Sequence, residues 1–234
     1  AQEAGGDGPD EPPEALTGDV AFGLTVTEGN TETLSMNFTG RIAYELPRHT
    51  WQLSIDVLRT RTDAEVKANR GNVAFQYDLE PSERFFLNSR VRAAYNRPAG
   101  IERRLVLGLG VGYDVWRGEF SRLSLDGGLN QVGERFTDDT RESSIYFNLE
   151  QEFKLRVNST TDLEQKLAYS PRPENLGDYL VFASLAMTTK VWKLLGIKTQ
   201  ITDEYDSTPF VDPETGEARS RNDLTFITGL NVSF

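Results

Sequence analysis

The sequence predicts an all-β protein, a transmembrane antiparallel up-and-down β-barrel of about 12 strands. Three observations predict it. Apolar residues recur at every second position in one segment after another, and no stretch of convincing length repeats at helical period. The face opposite each apolar edge is small and charged rather than uniformly solvated. Aromatic residues gather at the two ends of the apolar edges.

Composition sets the outer limits. The 234-residue chain carries 36 Asp and Glu against 25 Lys and Arg, a formal net charge of −11. A nucleic-acid partner calls for a basic surface, so that class is not expected. There is no cysteine, hence no disulfide or thiolate chemistry. No run approaches the roughly 18 apolar residues of a spanning helix. The mean hydropathy of −0.47 does not argue against a barrel, whose alternation averages away.

Residues 1–16, AQEAGGDGPDEPPEAL, are rich in Pro, Gly and acids. Such a stretch cannot bury enough surface to offset its ordering entropy, so a disordered periplasmic arm is expected there, with the barrel over 17–234. If the chain is exported, its signal peptide is already removed.

The strands follow in order. Segment 18–27 places Val20, Phe22, Leu24 and Val26 on one face. After EGN, Leu34, Met36, Phe38, Ile42 and Tyr44 are in step; then Trp51, Leu53, Ile55 and Val57; then Val73, Phe75, Tyr77 and Leu79. Segment 85–96 sets Phe85, Leu87, Val91 and Tyr95 against Asn88, Arg90 and Arg92. Segment 104–115 sets Leu105, Leu107, Leu109, Val111, Tyr113 and Val115 against Gly108, Gly110, Gly112 and Asp114. Further segments centre on 123–129, 145–155, 163–169, 179–191, 195–205 and 224–234. Each is near the 9–11 residues of a tilted barrel strand. Links alternate between longer ones (TDAEVKAN, GERFTDDTRE, DSTPFVDPETGEARSRND) and tighter ones (LPRH, RGE, KL). That asymmetry puts tight turns and both termini on the periplasmic side.

With directions so assigned, Tyr95, Tyr169, Tyr179 and Tyr205 fall at the upper end of the apolar edge. Tyr44, Trp51, Tyr77, Phe85, Tyr113, Phe153 and Phe234 fall at the lower end. Two such girdles mark water–lipid boundaries, whereas the core of a soluble sandwich has no reason to sort aromatics by height. Within the strands, Asp203 is the one charge on the apolar edge, and Arg59 lies beyond a strand end. The partners expected are therefore outer-membrane lipid and lipopolysaccharide, and the location expected is the bacterial outer membrane.

TVTEGNTETLSMNFTGRIAYE, RLVLGLGVGYDVW and DEYDSTP…RNDLTFITGLNVSF, in that order and spacing, resemble the salt-induced outer-membrane proteins. That is a family of bacterial barrels defined as a domain of unknown function. The resemblance runs from about Thr17 to Phe234 and implies fold and location, with no catalytic or ligand residue to carry over. A closing strand ending on Phe234 also resembles the signal that barrel-assembly machinery reads on its substrates.

Chemistry is sparse. The single histidine, His49, falls in the LPRH turn and reads as an exposed turn residue, so no Ser–His enzyme is expected. GLGVGYD lies within a strand and opens no helix; its glycines make room for larger side chains opposite rather than for a nucleotide. The acidic stretches around Asp138, Asp139 and Glu142, and around Asp212, Glu214 and Glu217, lack the spacing of a known cation loop and read as solvated charge. No cofactor or metal is expected.

The lumen is where a function would sit. Arg90, Arg92, Arg104, Arg122, Lys154, Lys166 and Lys198 face inward, as do Asp114, Asp126, Glu150, Glu152, Asp162, Glu164 and Glu204. Arginines dominate the fifth to seventh strands and carboxylates the eighth and ninth, which would set a transverse field across a water-filled passage. Pairing of the two signs would instead close it. Two readings follow: a narrow passive channel for small polar or charged solutes, or a non-conducting envelope barrel acting through its loops or arm.

Overall fold

Within a membrane, period-2 alternation with apolar groups on one edge is stable only where every strand finds two neighbours and the apolar edge finds lipid. The computed structural model describes residues 15–27, 33–63, 65–211, 216–218 and 220–234. In it the chain forms twelve strands: β1 (Ala15–Thr27), β2 (Thr33–Leu46), β3 (His49–Thr62), β4 (Glu65–Leu79), β5 (Phe85–Asn96), β6 (Ile101–Arg117), β7 (Ser121–Phe136), β8 (Arg141–Asn158), β9 (Thr161–Arg172), β10 (Asn175–Trp192), β11 (Leu195–Asp206) and β12 (Asn222–Ser233). Each pairs antiparallel with its sequence neighbours, and β12 returns to β1 to close the barrel. At the seam Asp19 to Phe22 register with Ser233 to Leu230, and the amide and carbonyl of Gly18 exchange hydrogen bonds with those of Phe234.

The barrel is inside-out relative to a soluble protein. Leu109, Leu230 and Leu224 are 71%, 69% and 67% exposed on the outside. Asp114 and Asn231, both polar, are 1% exposed on the inside. Burying polar groups while exposing a continuous apolar band is favourable only when the outer solvent is hydrocarbon.

Four sequence expectations are corrected. The strands are 12 to 18 residues long, because they run on beyond the apolar band into segments that read as loops. Most upper links are therefore tight as well, and the length asymmetry rests chiefly on the connection from Ser207 to Arg221. Arg59 is consequently not beyond a strand end but within β3. Finally, β1 begins at Ala15: Ala15 and Leu16, assigned to the arm, pair with Glu45 and Tyr44. The rest of the expected arm, together with Asp212 and Glu214, lies outside the described residues.

Candidate functional site

All fourteen lumen candidates point inward, because strand alternation is kept wherever the register is unbroken. What alternation could not tell is which charges meet. Arg41 on β2 donates to Glu164 on β9 at 2.9 Å and 3.2 Å, with β1, β12, β11 and β10 between those strands on the shorter way round. This pair crosses the lumen. Arg90 on β5 reaches Glu150 on β8 at 3.0 Å, and Lys166 bridges Glu150 and Glu152 at 3.2 Å and 3.4 Å. Nearer the wall lie Arg104–Glu134 at 2.6 Å, Arg122–Asp114 at 2.8 Å, Lys154–Glu152 at 3.0 Å and Lys198–Asp19 at 3.4 Å. The opposed basic and acidic walls expected from the sequence are thus largely cancelled: most arginines of β5 to β7 hold a carboxylate.

Two candidates are exceptions. Arg92 and Asp126 make no ion pair or side-chain hydrogen bond with another described residue, and Arg92 Nε is buried without an acceptor there. A charge enclosed in this way is tolerated only if water or a solute reaches it.

Vertically the lumen has three zones. The tight-turn end holds a cavity of about 340 Å3, lined by Arg41, Arg122, Lys154 and Lys198 and by Asp19, Asp162 and Glu164. The middle holds the Arg90–Glu150–Lys166 cluster. In the upper zone Arg70 binds Asp223 at 2.8 Å and Glu204 lies 3.7 Å from it. There Arg172 meets Asp178 at 3.0 Å and stands over the Tyr146 ring. At the top, Phe210 of the β11–β12 connection stacks on Phe136 of β7 at 4.9 Å and on Gly100 of the β5–β6 turn, almost diametrically across the barrel. Thr208 of the same connection donates to Asp178 at 2.7 Å.

Sequence reading missed Phe86, Phe136, Tyr146, Arg70 and Phe210. The signal for Phe86 was present: the glycines of GLGVGYD. A Cβ on Gly112 would lie 2.1 Å from the Phe86 ring, on Gly110 2.9 Å from Asn88, and on Gly108 2.5 Å from Asn130. The glycines do make room for larger side chains opposite, as expected.

Eight of the girdle candidates stand beside one another at the two ends of the barrel. Below, Tyr44, Trp51 and Tyr77 pack in a row at 5.8 Å and 5.6 Å, and Phe85 pairs with Tyr113 in register. Above, Tyr169, Tyr179 and Tyr205 form a cluster at 5.6 Å and 5.9 Å. His49 is not a free turn residue: its Nδ1 is 2.8 Å from the Tyr77 hydroxyl, and its ring stacks on Trp51 in the lower girdle. The lower end also carries Trp116 and Trp192, which unbroken alternation would place in the lumen. Bulges before each, between Asp114 and Trp116 and between Lys190 and Trp192, turn both rings outward, 60% and 63% exposed.

Among the described residues no group of three or more His, Asp or Glu could hold a metal ion. The acids of the β7–β8 turn are engaged locally. The hydroxyl and amide of Thr140 hold the Asp138 carboxyl below the usual carboxylate range, and Asp139 pairs with Arg135.

Solved barrels resemble this one in shape. An outer-membrane channel from Pseudomonas putida F1 superposes with a TM-score of 0.53 at 13% identity, covering 100% of both chains. The NanC porin gives 0.52 at 7% identity, over 93% of this chain and 98% of its own. The KdgM porin, solved in complex with disordered oligogalacturonate, gives 0.51 at 10% identity, over 94% and 99%. At such identities the likeness is one of fold. No curated protein matches the sequence significantly. Residues 20–234, nearly the whole of the barrel just described, match the family described as a protein of unknown function, DUF481, and the chain belongs to that family.

Proposed function

We propose that this protein is a passive channel of the bacterial outer membrane for small polar or charged solutes. The observation that carries the reading is the pair of unpartnered lumen charges, Arg92 and Asp126, in an interior that also holds a charged cavity at its periplasmic end. Enclosed charge of both signs without partners needs a hydrated interior, and a hydrated interior through a lipid-facing barrel is a path for solutes. The shared fold with porins supports this by analogy only.

The Arg41–Glu164 pair and the Arg90–Glu150–Lys166 cluster would then be the constriction, admitting solutes that exchange contacts with both signs. The β12 strand ending on Phe234 would be the segment read by barrel-assembly machinery during insertion.

The second reading, a non-conducting barrel, is favoured by one feature: the Phe210–Phe136 contact across the upper mouth. Planar-bilayer recording of the refolded protein separates the two. Steady current steps whose reversal potential moves in Glu150→Gln support the channel. A protein that shows the heat-dependent gel shift of a folded barrel yet passes no current sinks it.

A further inference from the structure

The outer surface carries a feature that the lumen does not explain. Arg103 on β6 registers with Arg135 on β7, and Arg135 registers with Arg141 on β8. Three arginines thus stand side by side on adjacent strands. Each shares the outward edge of its strand with lipid-facing residues: Leu105 and Leu107, Leu125 and Leu129, Ile145 and Phe147. Like charges directly opposite one another destabilise a sheet unless an anion lies between them.

The protein supplies only part of that anion. Glu102 pairs with Arg135 Nε at 3.0 Å, and Asp139 with the same guanidinium, so the central arginine is taken. Asp138 is tied to Thr140. Arg103 and Arg141, both exposed, have no ion pair with a described residue. They flank the neutralised centre roughly 10 Å apart, two strand spacings.

Height decides what can reach them. Tyr113, in the lower girdle, and Arg103 are ten residues apart on β6. At about 3.4 Å per residue and a tilt near 40°, that is roughly 25 Å of vertical rise, the height of the apolar band. The arginines therefore stand at the upper lipid boundary. They also fill a gap in the upper girdle, whose tyrosines lie on β5 (Tyr95) and on β9 to β11 (Tyr169, Tyr179, Tyr205).

We propose that the Arg103–Arg135–Arg141 row is a binding site for the phosphorylated headgroup of an outer-leaflet glycolipid, that is, the phosphates of lipopolysaccharide. Two outward arginines on strands about 10 Å apart can reach two phosphates carried on one disaccharide, each held through charge-assisted, bidentate hydrogen bonds. The acyl chains of the same molecule would run down over Leu105, Leu107, Ile145 and Phe147. The proposal rests on the barrel standing in an outer membrane and not on whether its lumen conducts.

The test uses the full chain refolded in detergent, with native mass spectrometry reading retention of bisphosphorylated lipid A. The wild type is expected to retain one lipid A in preference to phosphatidylcholine. Arg103→Gln with Arg141→Gln is expected to weaken retention at least about tenfold. Arg59→Gln with Arg61→Gln, outward arginines on the far side, is expected to change nothing. Equal retention by the first double variant overturns the site. So does equal loss in the second, which would make the effect one of net charge, and so does displacement of lipid A by inorganic phosphate at equal concentration, which would make the site one for free phosphate. The heat-dependent gel shift confirms folding of each variant, and the single variants Arg103→Gln and Arg141→Gln serve if the double one does not fold. A wild type that never folds in lipid or detergent indicts the barrel reading itself; a folded wild type without lipid A indicts only the site.

Discussion

At the scale of single residues, the lumen is built by exchange of volume and charge across adjacent strands. Gly112 leaves a space that the Phe86 ring occupies, since any Cβ there would fall 2.1 Å from the ring. Gly112→Ala should therefore cost about 1–3 kcal/mol of stability, the usual range for overpacking. Guanidinium unfolding in lipid vesicles measures it, and adding Phe86→Ala, which vacates the space, should recover most of the loss. A neutral Gly112→Ala would show that the ring moves freely. Charge follows the same logic. Glu164→Gln leaves the Arg41 guanidinium without its cross-lumen carboxylate. Both side chains keep some exposure, 34% and 26%, so the stability cost should be modest, about 1 kcal/mol. The larger effect should be on permeation, with the reversal potential in a salt gradient moving toward anion preference. An unchanged reversal potential would remove Arg41 and Glu164 from the constriction.

At the scale of elements, β6 and β10 show what a bulge accomplishes. One extra residue before Trp116 and before Trp192 shifts the register and swings each indole from the lumen side to the lipid boundary. Indole rings prefer that boundary because their apolar body and N–H need different solvents. Trp51, Trp116 and Trp192 all stand at the same lower edge. Tryptophan emission of the folded protein should consequently be quenched strongly by lipids brominated near the headgroup and weakly by lipids brominated near the chain ends. The reverse order would place the girdle at the wrong depth. Deleting Val115 removes the extra residue but leaves Trp116 directly after the inward Asp114 and still opposite Leu123, so its ring should stay outward and keep its share of the quenching.

At the scale of the whole molecule, the described part of the β11–β12 connection lies across the upper mouth of the barrel. Phe210 reaches across the barrel to Phe136 and Gly100, and Thr208 fastens the same connection to Asp178. Phe210→Ala should raise single-channel conductance severalfold. Phe136→Ala should do the same, and the double variant should add little, because the two rings form one contact. Additive increases would mean that the residues act at separate constrictions.

The sequence by itself determined the fold class, the strand order, which edge of each strand meets lipid, the two aromatic belts and the inward set of charges. These follow from period-2 alternation, which is local and readable wherever the register is unbroken. Only the tertiary structure decided which charges pair. Arg41 and Glu164 are 123 residues apart and meet because the barrel curls β2 toward β9. It alone decided which rings the bulges at β6 and β10 turn outward, because one extra residue inverts every parity argument beyond it. The arginine row and the Phe210 contact belong to the same class. Each exists only once strands or loops far apart in sequence stand beside or across from one another, and alternation within one strand carries no record of that.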